Sequence, residues 1–189
     1  MRMQDLPREI AQSMCHASPL AWANYAMGPF VVAYPHLRYV ESKLVRVGQD
    51  IKRLRISLPP QSGKSLLVST AFPTWYLGRN PDARLMIVSY GGKRAHDLGQ
   101  QTKDMFANHA GPIFGLECDP SARSKEFWKV KGHRGYLMSA GIGGPVNGFP
   151  ADLVVFDDPY ASAEEALSPS GRRTVERFVT SVLAARLQR

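Results

Sequence analysis

Residues 54–65 read LRISLPPQSGKS, an apolar-rich run that ends in Gly63-Lys64-Ser65. This junction constrains the fold more than any other part of the chain. A strand that feeds a Gly-Lys-Ser turn is the start of a phosphate-cradling loop (a P-loop). Backbone N–H groups point at the phosphates, Lys64 brings a point charge, and the Ser65 hydroxyl can ligate Mg²⁺. A helix starting near Ser65 adds the positive end of its dipole. The expected nucleotide loop is therefore Pro60, Gln61, Ser62, Gly63, Lys64 and Ser65. The pattern G-x-x-x-x-G-K-[ST] is met incompletely. Leu58 stands at the first glycine, and Pro59-Pro60 hold the turn by fixed φ angles instead of glycine freedom. An ordinary turn that happens to contain Gly-Lys-Ser is the competing reading.

A second segment adds weight. Residues 151–159, ADLVVFDDP, form an apolar run from Leu153 to Phe156 that ends in Asp157-Asp158. A continuous hydrophobic run suits a parallel strand buried on both faces, and ligands of open α/β sheets bind at the carboxyl ends of such strands. This is the Walker B arrangement, in which Asp157 serves Mg²⁺ and Asp158 polarises the attacking water. Asp-Asp-Pro before SAEEA could instead cap a helix. With the Gly-Lys-Ser turn upstream and α/β material between, the pair points to an ATPase core with ATP and Mg²⁺ as its cofactors.

Between the two lie another apolar strand, RLMIVSY at 84–90, then Gly91-Gly92 and the helical KRAHDLGQQTKDMFANH. GYLMSAGIGGPVNGF at 135–149 reads as a short strand and a glycine-rich loop. EEALSPSGRRTVERFVTSVLAARL follows the acidic pair. The series PPQSGKS, GIGGPVNG, VVFDDP and the closing helix spans about residues 50–187 and resembles the ATPase domain of the large terminase subunit, the motor that packages DNA into viral capsids. The resemblance implies an α/β P-loop NTPase, a three-layer αβα fold with a mostly parallel sheet. It also implies double-stranded DNA, a portal ring, a small terminase subunit and further copies of the chain as partners. Many relatives carry a basic pair after Pro-Pro, where this chain has Gln61-Ser62. The family continues past Walker B into another strand and a nuclease domain, so this chain reads as truncated after the Walker B strand and following helix. The organisation expected is a helical lead, 1–47, and an ATPase domain, 48–189, incomplete at its C-terminus and without the nuclease. The strands 54–58 and 153–156 are then expected to leave a gap or to pair directly. The alternatives are a non-catalytic remnant that binds nucleotide or DNA, and a helicase-like ATPase outside packaging.

The net charge of +8 and a pI near 9.7 favour polyanionic partners. Candidate DNA contacts are Lys93, Arg94 and the stretch from Arg123 through Lys125, Lys129, Lys131 and His133 to Arg134, interleaved with Phe127, Trp128 and Tyr136. A solvated basic β-hairpin is the equal alternative. Arg172, Arg173 and Arg186 are the nearest candidates for an arginine that stabilises phosphoryl charge, set against ordinary helix-surface charge. In the helical lead, Pro19, Pro29 and Pro35 break the chain. Trp22, Tyr25, Phe30, Tyr34 and Tyr39 are expected in the core rather than beside an adenine, and His36 as a satisfied surface histidine. Cys15 and Cys118 lack metal or disulfide spacing, no run of about 18 apolar residues suits a membrane, and the N-terminus lacks a signal core. A cytoplasmic setting in an infected or prophage-carrying host follows from the resemblance.

Overall fold

The computed structural model describes residues 2–28, 31, 33–122, 124–146 and 148–187. Pro29, Phe30, Arg123, Asn147 and Arg189 lie outside the described residues. Contacts divide the chain into two compact units, Met1–Pro81 with Asp104–Glu117, and Asp82–Lys103 with Cys118–Arg189. No described helix is long and apolar enough to cross a membrane.

The first unit is helical. Helix α1 spans Arg8–Ala17, α2 Pro19–Met27 and α3 Pro35–Leu44. Ser18 sets the junction of α1 and α2, because its hydroxyl accepts the Ala21 N–H at 2.8 Å while Pro19 fills the first helical position. A π-helical turn, Leu66–Ala71, continues into α4, Phe72–Arg79. Pro73 accounts for the wider register. It has no N–H to donate, and its ring would crowd the carbonyl four residues back in an ordinary α-helix. Trp22 and Trp75 form the buried centre, and each indole N–H is satisfied: Trp22 donates to Thr74 Oγ1 and Trp75 to the Cys15 carbonyl, both at 2.8 Å. The Phe114 ring packs on Trp22 and against Gly78, where a Cβ would come within 2.5 Å of it.

Two expectations for this unit need correction. Residues 54–58 form no strand; 53–59 have no regular secondary structure and are largely exposed, and Leu54 is 37 % accessible. An apolar pattern cannot make a strand without a ladder partner, and none is present among the described residues. Tyr34 and Tyr39 are not core residues but 53 % and 67 % exposed. Tyr39 lies under the Lys43 ammonium instead.

The second unit is an α/β sheet of four strands: β1 Arg84–Ser89, β2 Phe127–Lys129, β3 Tyr136–Gly141 and β4 Leu153–Asp157. Their order is β2-β3-β1-β4, with β1 parallel to both β3 and β4 and only β2 antiparallel. The apolar runs read from the sequence are these parallel strands, and central β1 is buried from Leu85 to Ser89. Helix α5, Gly92–Phe114, covers one face with its amino-terminal part; Gly99 sits so close to Ser139 that a Cβ there would lie 2.3 Å from the hydroxyl. On the other face Met86, Val88, Tyr136, Met138 and Ala140 pack with Phe178 and Leu183 of the closing helical segment. This unit is thus layered helix, sheet, helix.

Beyond β4 come α6, Ala163–Leu167, and α7, Pro169–Arg177, capped by the Ser162 and Ser168 hydroxyls. Asp157 and Asp158 therefore do not cap the following helix, which removes the alternative reading of that pair. β4 has its ladder with β1 and none with 54–58. One parallel bridge joins Ala151 to Leu187, with the Ala151 N–H donating to the Arg186 carbonyl at 2.8 Å.

Candidate functional site

Pro60–Ser65 is a tight turn that opens into a helix at Lys64. Gln61 and Gly63 both have left-handed backbone, with φ of 59° and 83°. Glycine takes this conformation at no steric cost, whereas a side chain there costs about 1–2 kcal/mol. Gln61 is therefore a strained residue within the expected nucleotide loop. Gly63 is constrained a second way, since a Cβ would lie 3.2 Å from Leu37 Cδ1 of α3. The Gly63 carbonyl accepts the Leu67 N–H at 3.0 Å, which ties the turn to the helix it opens.

His36 also holds this turn. Its Nε2 lies 3.0 Å from the Ser62 carbonyl oxygen, so that nitrogen carries the proton and donates. Tyr34 stacks on the imidazole with ring centroids 5.7 Å apart. His36 is thus an exposed, hydrogen-bonded histidine, as expected, and its partner is a carbonyl of the turn.

The second group lies at the carboxyl end of β4. Asp157 is 4 % exposed and faces Ser89, its register partner on β1. Arg94, in the first turn of α5, donates from Nη2 to Asp157 Oδ2 at 3.2 Å. Arg94, named above as a candidate DNA contact, is thus a counterion of a buried carboxylate. Asp158 behaves differently. It is exposed, has φ of 42°, and its carbonyl accepts the Tyr90 N–H at 3.2 Å. Adjacent carboxylates thus have separate environments, one buried, the other exposed on a left-handed backbone.

The Gly91-Gly92 turn that starts α5 is pressed against β3, and a Cβ on Gly141 would lie 2.5 Å from the Gly92 nitrogen. Beside it lies a cavity of about 710 Å³ lined by Lys93, His96, Glu126, Phe127, Met138 and the 141–145 loop among others. His96 Nδ1 bonds Glu126 Oε1 at 2.7 Å; this bond, and a second from Ser124, hold the Glu126 carboxyl below its ordinary range.

The basic stretch resolves into the hairpin alternative. β2 and β3 pair antiparallel, Trp128 is wholly buried, Tyr136 is 8 % exposed, and Phe127 packs on the core cluster. The aromatics belong to the interior, so they offer no stacking platform. Lys125, Lys129, Lys131 and Arg134 remain on the surface. Arg172 and Arg173 donate to the carbonyls of Leu167 and Pro169 at 2.9 and 3.2 Å, close to their own helix start.

The expected site residues thus form two groups. Ser62, Gly63, Lys64 and Ser65 belong to the helical unit, and Asp157 and Asp158 to the sheet unit. Among the described residues, no three His, Cys, Asp or Glu side chains gather into a metal cage. Mg²⁺ is ordinarily held by one or two carboxylates with phosphate oxygens and water, and the donors here are hard oxygens of the type it prefers. Asp157, a carboxylate at the carboxyl end of β4, supplies such an oxygen.

No curated protein matches the chain. The family described as "Terminase large subunit, T4likevirus-type, N-terminal" matches residues 55–177, well over half of the sequence, including both the Gly-Lys-Ser turn and the β4 acidic pair. The chain therefore belongs to the large terminase subunit family, in the part described as its N-terminal region.

Proposed function

We propose that this chain is the ATP-hydrolysing part of a viral DNA-packaging motor, using ATP with Mg²⁺ to move double-stranded DNA into a procapsid. Family membership supports the packaging role. The observation that carries the nucleotide reading is the Pro60–Ser65 turn, whose left-handed Gln61 and Gly63 open directly into a helix at Lys64. Such a turn aims backbone N–H groups and a helix amino end at an anion.

In this reading Lys64 and the loop amides hold the β- and γ-phosphates, and His36 keeps the loop in shape through the Ser62 carbonyl. Ser65 and Asp157 hold Mg²⁺, which supplies neutralising charge at the phosphate oxygens. Exposed Asp158 orients the attacking water. DNA, the portal ring, the small terminase subunit and neighbouring copies are the partners, and the host cytoplasm is the setting. The surface lysines 125, 129 and 131 supply sequence-independent attraction to the DNA backbone.

The division between the two carboxylates is testable. Asp158→Asn should bind Mg·ATP as the parent does while DNA-stimulated hydrolysis falls by about 10²-fold or more, the usual scale for a removed general base. Hydrolysis at the parental rate would assign the base to another residue.

A further inference from the structure

We propose that Arg94 competes with the divalent cation for Asp157, so that α5 carries an internal counterion which the metal must displace. This deepens the Mg²⁺ reading of Asp157 and rests on it. Asp157 has 3 % of its side chain exposed, and an unpaired carboxylate so enclosed is unfavourable. Arg94 offsets the charge from a partly open position, 30 % exposed, through a contact of 3.2 Å, longer than the usual charge-assisted bond of about 2.7–2.9 Å. A cation bound to the same carboxylate balances that charge itself and opposes the guanidinium by like-charge repulsion.

Arg94 does not sit on a free arm. Gly91-Gly92 fixes the start of α5 against the backbone of Gly141, so the guanidinium is presented from a packed turn. Lys93 and His96 of the same turn line the cavity of about 710 Å³. Release of Arg94 is therefore felt where α5 begins, and metal occupancy at β4 becomes readable on the surface of the sheet unit. Ser89, wholly buried and the register partner of Asp157, has a hydroxyl with no hydrogen-bond partner among the described residues. It is a polar group available to a rearranged neighbour on that side.

The test measures Mn²⁺ affinity in the presence of ADP, from the paramagnetic signal of free Mn²⁺. Arg94→Gln keeps a hydrogen-bond donor and removes the charge; it should bind Mn²⁺ on the order of tenfold more tightly than the parent. In an Asp157→Asn background the same substitution should change nothing. In the unaltered protein, the Arg94 side-chain resonance in ¹⁵N-arginine-labelled material should shift when Mg²⁺ and ADP are added together and not with ADP alone. This arm does not depend on any variant folding. Equal or weaker Mn²⁺ binding by Arg94→Gln, with Asp157→Asn clearly impaired, would overturn the competition and leave the metal reading intact. An Asp157→Asn protein that binds Mn²⁺ as the parent does would overturn both. A Lys64→Ala control that loses ADP separates either outcome from failure of the nucleotide loop.

Discussion

The Pro60–Ser65 turn and the end of β4 are built on opposite plans. The turn is a backbone structure: two left-handed residues, a carbonyl held by His36, and a glycine whose Cβ would crowd Leu37. The segment before it, 53–59, belongs to no ladder. The β4 end is a side-chain structure, a buried carboxylate on a fully registered parallel strand with an arginine as counterion. A backbone device fails when a conformation is denied to it. A charge device fails when its partner is removed. Substitutions should therefore sort by mechanism between the two regions.

The largest expected effect is at the β4 end. Arg94→Leu removes a counterion from buried Asp157, and breaking a buried ion pair typically costs about 3–5 kcal/mol. Asp157→Asn in the same protein should recover much of the loss. Denaturant unfolding of the two single variants and the double variant measures this coupling. Additive effects would mean that the pair does not act as a unit.

The turn should respond to shape alone. Gly63→Ala has to adopt φ of 83° and pushes on Leu37, which is 3.2 Å from the new Cβ. A loss of about 1–3 kcal/mol is expected. It should not be relieved by Asp157→Asn, whereas the cost of Arg94→Leu should. Relief of both by that change would erase the distinction.

The smallest effect sharpens the comparison along β4 itself. At the opposite end of the strand, Asp152 accepts bonds from the Arg84 N–H and Nε at 2.9 and 3.0 Å, and from Nη2 at 2.6 Å. The Arg84 side chain holds the Asp152 carboxyl below the ordinary carboxylate range. A depressed pKa stabilises the fold above the unfolded-state value of about 4, and the gain is lost as pH falls through the folded value. Because the pair is about one-third exposed, the expected contribution is only about 0.5–1 kcal/mol. Comparing thermal unfolding of the parent and Asp152→Asn at neutral pH and well below pH 4 checks it. The difference should shrink in acid.

Much of the sheet unit was legible beforehand. The runs 85–88, 136–138 and 153–156 are apolar without interruption, as buried parallel strands require. The same logic misread 54–58, because a ladder depends on a neighbour that local pattern does not reveal. In the hairpin, Phe127, Trp128 and Tyr136 alternate with lysines, and pattern alone could not decide which set faces inward; the core took the aromatics. The Gly-Lys-Ser turn and the acidic pair stood out by residue type and order. Their supports did not. His36 reaches Ser62 and Arg94 reaches Asp157 only through the tertiary fold, and nothing in the spacing of either residue announces its partner.

The central claim is that the Pro60–Ser65 turn holds nucleotide phosphates with Lys64. Mg·ATP affinity of the parent and Lys64→Ala, measured by calorimetry, tests it most directly. Loss of one charge-assisted phosphate contact, about 2–3 kcal/mol, corresponds to binding weakened roughly 30- to 150-fold. Equal affinities in the two proteins would contradict the account, leaving a strained turn with no nucleotide to explain it.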